Sequence, residues 1–267
     1  RRGVTPMDRP IIFSAPMIRA IRREIAAPGT GKTQTRRILK LPTKGQYVNP
    51  AMGGWEPTTN GGEGVFHVAR DGARQPVPET VGIWHRTTGK CLDAPYQVGD
   101  RLWVKENHYR TDDGDEEFAV YACDEAAVRE HLAALDALPA SFPADTKARH
   151  RKLRPSIHMP RWTSRLTLIV TDVRVERLQE ISEADAVAEG LIKLPASGRY
   201  VVEKGEQYLG FARHTARARF SDLWDSLHGE GAFATSPWVV AVSFQPFETN
   251  IDRMPERQAA PVPAAAE

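Results

Sequence analysis

Cysteine is scarce in this chain. Its 267 residues include two, Cys91 and Cys123, far apart and without a Cys-x-x-Cys pair, which argues against a disulfide framework and a zinc site alike. None of the eight histidines has the neighbours a structural zinc needs, and neither a metal nor a cofactor is expected. Long apolar runs are missing too. Nothing approaches the roughly 20 residues of a membrane span and no secretory leader is visible, so no membrane partner and a cytoplasmic location are expected. A strong excess of one charge is also lacking: 36 Lys and Arg against 34 Asp and Glu give a net +2, with an isoelectric point near 8.6. Any nucleic-acid surface must therefore be a local patch.

What the sequence does contain is a dense polar segment at 31–37, Gly-Lys-Thr-Gln-Thr-Arg-Arg. Together with 26–30 it nearly matches a phosphate-binding P-loop. That motif requires a glycine where Ala26 stands and a buried strand running into the loop. The preceding residues instead place Ile18, Ile21 and Ile25 at helical spacing with charges between them, an amphipathic helix. A short strand closed by Pro42 follows, where a P-loop would open a helix. The run 168–172 ends in Asp172 and could pass for the second nucleotide motif, but any strand followed by a turn looks the same. Nucleotide hydrolysis is the weaker reading.

Along the chain, 1–8 is expected to be a flexible extension, in which 1–6, preceding the internal Met7, read as an expression remnant or a start-site artefact. Residues 10–13 read as a strand, Ser14 as the cap of a helix with Pro16 in its first turn, and 35–39 as a second strand. Residues 41–96, rich in Gly, Pro and Thr, read as an insertion carrying a hairpin or two, with strand-like pieces at 65–69 and 81–87. The Gly99-Asp100 turn leads into an alternating strand, with 118–122 expected to pair with it. Residues 124–138 form a helix with Ala127, Val128, His131, Leu132 and Leu135 on one face. A strand at 165–175 precedes a helix at 182–190, in which Ser182 and Asp185 resemble a capping box and Gly190 marks the stop. A helix over 208–227, a strand over 237–247 and a disordered tail over 249–267 complete the expectation.

Several short strands, a few helices and a glycine-rich insertion indicate an α+β chain, a small β-barrel decorated by helices. Four blocks then carry a family resemblance. They are 31–37, then Gly99-Asp-Arg-Leu-Trp-Val, then Pro155-Ser-Ile-His-Met-Pro-Arg-Trp-Thr-Ser-Arg followed by 179–190, and finally Trp224 with Pro237-Trp238. Together they resemble the ASCH domain, and within it the phage and prophage type, as a single domain over 9–248 interrupted at about 41–96. The resemblance implies a PUA-like barrel with a cleft for RNA or a modified nucleoside. Some relatives hydrolyse the amide of N4-acetylcytidine with a lysine, a threonine and a glutamate, which fall here on Lys32, Thr35 and Glu189. It also places the chain in a bacterial or phage-infected cytoplasm.

The chemistry can be weighed on its own terms. A threonine hydroxyl needs a base, and a lysine serves only if its pKa of about 10.4 is pulled toward neutrality. Desolvation and the adjacent Arg36 and Arg37 both act in that direction, and the two arginines are also candidate nucleic-acid or substrate contacts. On a straight strand Lys32 and Thr35 would face opposite ways, so their meeting requires a turn or bulge at Thr33-Gln34. Without one, Lys32 is a solvated loop residue and Thr35 a strand residue. Glu189 sits against the helix dipole, a disfavoured place for an acid, as befits either a functional carboxylate or a solvent-screened surface one. Facing Lys32, it would hold the lysine charged and orient it, or act as the proton acceptor itself.

A second candidate lies at 147–165, where Lys147, Arg149, Arg151, Lys152, Arg154, Arg161 and Arg165 occur without an acidic residue. Arg154, His158, Arg161, Trp162 and Arg165 form a candidate RNA or DNA surface, the arginines on phosphates and Trp162 stacking on a base. The alternative is a core Trp162 among solvated arginines and a structural His158. Three readings follow: an amidohydrolase of N4-acylated cytidine, a nucleic-acid-binding module, and a ribonuclease using the same basic cleft.

Overall fold

In the computed structural model, residues 7–48, 54–62, 64–68, 72–77, 79–112 and 117–255 are described. In chain order they form β1 (Asp8–Ile12), α1 (Ala15–Ala26), β2 (Gln34–Ile38), β3 (Trp55–Asn60), β4 (Phe66–Val68), β5 (Arg74–Pro76), β6 (Thr80–His85) and β7 (Cys91–Asp93). Then come β8 (Arg101–Lys105), β9 (His108–Asp112), β10 (Glu117–Tyr121), α2 (Glu125–Ala137), α3 (Ala144–Arg151), β11 (Thr167–Arg177) and α4 (Glu183–Ala188). β12 (Ile192–Lys193), β13 (Tyr200–Val201), α5 (Ala216–His228) and β14 (Trp238–Phe247) complete the chain.

The central sheet runs β1-β8-β11-β14-β2, parallel only between β1 and β8. Its spine is the long pair β11 and β14, whose register shifts between Val170 and Asp172, a bulge that bends the strand. Val239, Val240, Ala241 and Val242 are all enclosed, so β14 is covered on both faces, one of them by α1. With Ile18, Ile21, Leu102, Leu168 and Leu178 they form the core, where each aliphatic side chain contributes roughly 1.5–3 kcal/mol.

The expected closed barrel is not found: the fold is mixed α+β, and no sheet among the described residues closes on itself. β1 and β2 remain the two edges of the central sheet. They are joined by a side chain, Arg37 donating through Nη2 to the Ile12 carbonyl at 2.6 Å. The gap between these edges is where the site lies.

Other differences have local causes. The strand at 117–121 pairs with β9 and not with β8, because β8 already has β1 and β11 on its two sides. Among its described residues the insertion carries five strands, a β3-β6-β7 sheet and a β4-β5 hairpin, joined to the core through the fully buried Ile83. α5 begins at Ala216, where the Thr215 hydroxyl accepts from the Ala218 amide; the segment expected to start it is a 3-10 turn between two left-handed glycines, Gly205 and Gly210. The basic helix α3 had no apolar periodicity to announce it. The Ser182 hydroxyl does cap α4 through the Asp185 amide, whereas Ser14 makes no capping bond. Ile251 is fully buried, inside the expected tail, while 1–6 and 256–267 lie outside the described residues.

Candidate active site

The approach to Lys32 explains why a P-loop look-alike occurs here. The carboxylate of Glu24 accepts from the amides of Gly29 and Gly31, each at 2.8 Å. The Lys32 amide donates to the Ala20 carbonyl and that of Thr33 to the Ala188 carbonyl. Amides that a phosphate would need are thus already satisfied by protein. Gly31 is present for packing: a Cβ there would lie 2.3 Å from the Ala20 carbonyl oxygen on α1.

Lys32 turns inward. It precedes β2 and forms an isolated antiparallel bridge with Glu189, the residue that ends α4. Its ammonium donates to Oε2 of Glu189 at 2.6 Å and to the carbonyl of the same residue at 2.9 Å. Both residues are buried, Lys32 to 1% exposure. The bridge also puts Gly190, at φ 104°, against Lys32, where a Cβ would sit 3.0 Å from the lysine Cβ. Thr33 separates the bridge at Lys32 from the regular strand, which begins at Gln34. Lys32, Thr35 and Glu189 all line one cavity of about 290 Å³ between the edge strands. Phe13 forms one wall, and Trp224, Leu227 and His228 of α5 form another.

Burial lowers the Lys32 pKa; the charge and hydrogen bond of Glu189 oppose that shift, and Arg37 and Arg36 reinforce it. Burial likewise lowers Arg37, whose guanidinium lies 5.0 Å from the Phe13 ring centroid, and His228, with Arg37 adding to the effect. Arg36, a candidate substrate contact, lines the same cavity, but its guanidinium is fully enclosed and engaged by protein. It contacts Gln34 Oε1 at 2.7 Å, Glu189 Oε1 at 3.2 Å, Glu176 Oε1 at 2.7 Å and Asp185 Oδ2 at 3.3 Å.

Gln34, Glu176 and Asp185 escaped the sequence reading. Asp185 was visible only as part of a helix cap and Glu176 as one polar residue of a strand. The aromatic wall was likewise missed, although Trp224 lay within the resemblance.

The block at 147–165 is arranged differently. Arg165 pairs with Glu106 at 2.9 and 3.0 Å and with Asp124 at 3.4 Å, and lies 3.7 Å from the Tyr121 ring centroid. Arg161 bonds Asp8 at 2.7 Å and Asp252 at 2.6 Å; Arg101 and then Arg161 hold the Asp8 carboxyl down to about 2. Arg151 pairs with Asp136. The acids missing from the interval thus arrive from elsewhere in the chain. Arg154 is tied through its backbone to His108, and His158 is exposed. Trp162, 48% exposed, lines with Arg165 a separate groove of about 770 Å³ that contains none of Lys32, Thr35 and Glu189.

Among the described residues no group of three or more His, Cys, Asp or Glu is placed to hold a metal ion, and no helix is long and apolar enough to cross a membrane. Comparison with protein-family models, curated proteins and solved structures gives no match to this chain.

Proposed function

We propose that the chain is an ASCH-type amidohydrolase that cleaves the acyl amide of N4-acetylcytidine or a related modified base, its sheet left open where the substrate enters. The observation that carries this reading is the 2.6 Å contact between Lys32 and Glu189, buried in a cavity that Thr35 also lines. A cavity near 300 Å³ is at the small end of ligand sites, suited to a base or nucleoside. Phe13 and Trp224 line it.

In the proposed reaction, Lys32 first releases its extra proton to solvent, and the neutral amine then takes the Thr35 hydroxyl proton as the oxygen attacks the acyl carbonyl. The tetrahedral intermediate collapses with rupture of the C–N bond, and the proton passes from Lys32 to the leaving N4 amine. Water then hydrolyses the acyl-threonine, yielding the free acid and restoring the hydroxyl. Glu189 orients Lys32 between these transfers.

The test is hydrolysis of N4-acetylcytidine by purified protein, followed by loss of substrate absorbance. Turnover should disappear in Lys32→Ala and Thr35→Ala; an inactive wild type, or active variants, refutes the reading.

A further inference from the structure

Arg36 lines the cavity beside Lys32, yet its charge is taken up by protein. Its side chain is fully enclosed, and its fork is shared between carboxylates from two directions. Nε and Nη2 hold Oε1 of Glu176 on β11, at 3.0 and 2.7 Å. Nη1 reaches Oε1 of Glu189 at 3.2 Å, while Oε2 of the same carboxylate receives Lys32. Glu189 is thus held by two cations, one on each oxygen. The surroundings keep the fork in place: Gln34 accepts from Nη1 and donates to Asp185 and Ser243, and Arg174 ties Asp185 on α4 at 3.0 Å.

Two consequences follow. A carboxylate torsion is broad and roughly two-fold, so a glutamate held on one oxygen could swing, whereas one gripped on both presents a fixed atom to Lys32. A second cation on the carboxylate also weakens its hold on the lysine proton. We propose that Arg36 is a positioning residue for the Lys32–Glu189 pair, clamping the far oxygen of Glu189 so that Lys32 shares that charge instead of holding it alone. The catalytic part of this proposal rests on the amidohydrolase reading; the clamp itself does not.

The charged groups facing the pair are Arg36 and Arg37 of β2, Glu176 and Arg174 of β11, Asp185 of α4 and His228 of α5. The test compares Arg36→Gln and Arg36→Lys with wild type in two readouts. One is the pH titration of the Lys32 Cε carbon by NMR, assigned through its absence in Lys32→Met. The other is the rising limb of kcat/KM against pH for N4-acetylcytidine. In Arg36→Gln both should move upward by roughly one pH unit. In Arg36→Lys, which keeps the charge, both should stay near wild type, with kcat several-fold lower because one ammonium cannot span both carboxylates. Should Arg36→Gln fail to fold, Arg36→Gln/Glu176→Gln removes the charge pair together and should still move both upward, by less, because the lost Glu176 charge offsets part of the lost Arg36 charge. A Lys32 titration unmoved in the Gln variant that folds overturns the clamp. If the wild type hydrolyses no N4-acylated cytidine and the Lys32 titration still moves, the reaction falls and the clamp stands.

Discussion

The ammonium of Lys32 meets the carboxylate of Glu189 at 2.6 Å across 157 positions of sequence, with the two side chains only 1% and 5% exposed. The partners are not equally dependent on each other. Glu189 has a second cation in Arg36, whereas Lys32 pairs with no other carboxylate among the described residues.

The asymmetry should appear in stability. Glu189→Gln strands the buried ammonium and should cost about 3–5 kcal/mol in urea unfolding. Lys32→Met leaves the glutamate with Arg36 and should cost clearly less. Lys32→Met/Glu189→Gln should recover much of the loss, because no unpaired charge remains. Strictly additive costs for the two single changes would show that the pair is not energetically coupled.

Arg165 and Arg161 offer a similar contrast. Arg165→Met would leave Glu106, 2% exposed, without its cation, and should cost about 3–5 kcal/mol. Arg161 bridges two acids at the surface, and Arg161→Ala should cost at most about 1 kcal/mol. Both charges already serve internal carboxylates, so Arg161→Ala should also leave the salt dependence of oligonucleotide binding nearly unchanged. A salt slope lower by about one in that variant would instead place Arg161 on a phosphate.

Cys123 and Cys91 should differ sharply in reactivity. Burial, and then the charge of Glu106, push the Cys123 thiol up to about 12, and its Sγ donates to Glu106 Oε2 at 3.2 Å. Cys91 is exposed. At pH 8 a thiol reagent should find one fast group in the native protein and two after denaturation. The sign for stability follows: the folded state keeps this proton longer than the unfolded one, so stability falls as pH rises from the unfolded thiol's 9.0 toward 12. A fully reactive Cys123 in folded protein would contradict the burial.

Local signals explain what was legible. The positions 127, 128, 131, 132 and 135 assigned to the inner face of α2 are all at least partly buried, because 3.6-residue periodicity is a property of the segment itself. Ser182 announced its cap for the same reason. The hidden parts depend on distant partners. β3 and β7 are short and polar and exist through pairing with β6. An arginine-rich interval looks basic until Asp8, Glu106, Asp124, Asp136 and Asp252 fold against it. At the site, Lys32, Thr35 and Glu189 were nameable through a resemblance, but the role of Arg36 was not. Sequence places Arg36 beside Arg37 as a second candidate substrate contact; both line the cavity, but the carboxylates of β11 and α4 that enclose the Arg36 guanidinium come from distant parts of the chain.

Two glycines fix the backbone that delivers Lys32, for different reasons. At Gly31 the obstacle is space: a Cβ would lie 2.3 Å from both the Ala20 carbonyl oxygen and the Glu24 nitrogen, and helix backbone cannot give way as a side-chain tip can. At Gly190 the obstacle is conformation as well, with φ at 104° and a Cβ 2.9 Å from that of Ala20. Gly190→Ala should cost about 1–3 kcal/mol, and Gly31→Ala at least as much, since the loop must leave α1 and break the Lys32 amide bond to Ala20. Gly54 has open space where a Cβ would go and no positive φ, so Gly54→Ala should stay within about 0.5 kcal/mol of wild type. Thermal unfolding of the three variants provides the measurement. Because both tight glycines lie against Lys32 or next to it in sequence, their variants should lose N4-acetylcytidine hydrolysis well below the unfolding temperature. A Gly31→Ala protein as stable and as active as Gly54→Ala would mean that the close packing of this loop on α1 does not set the position of the lysine.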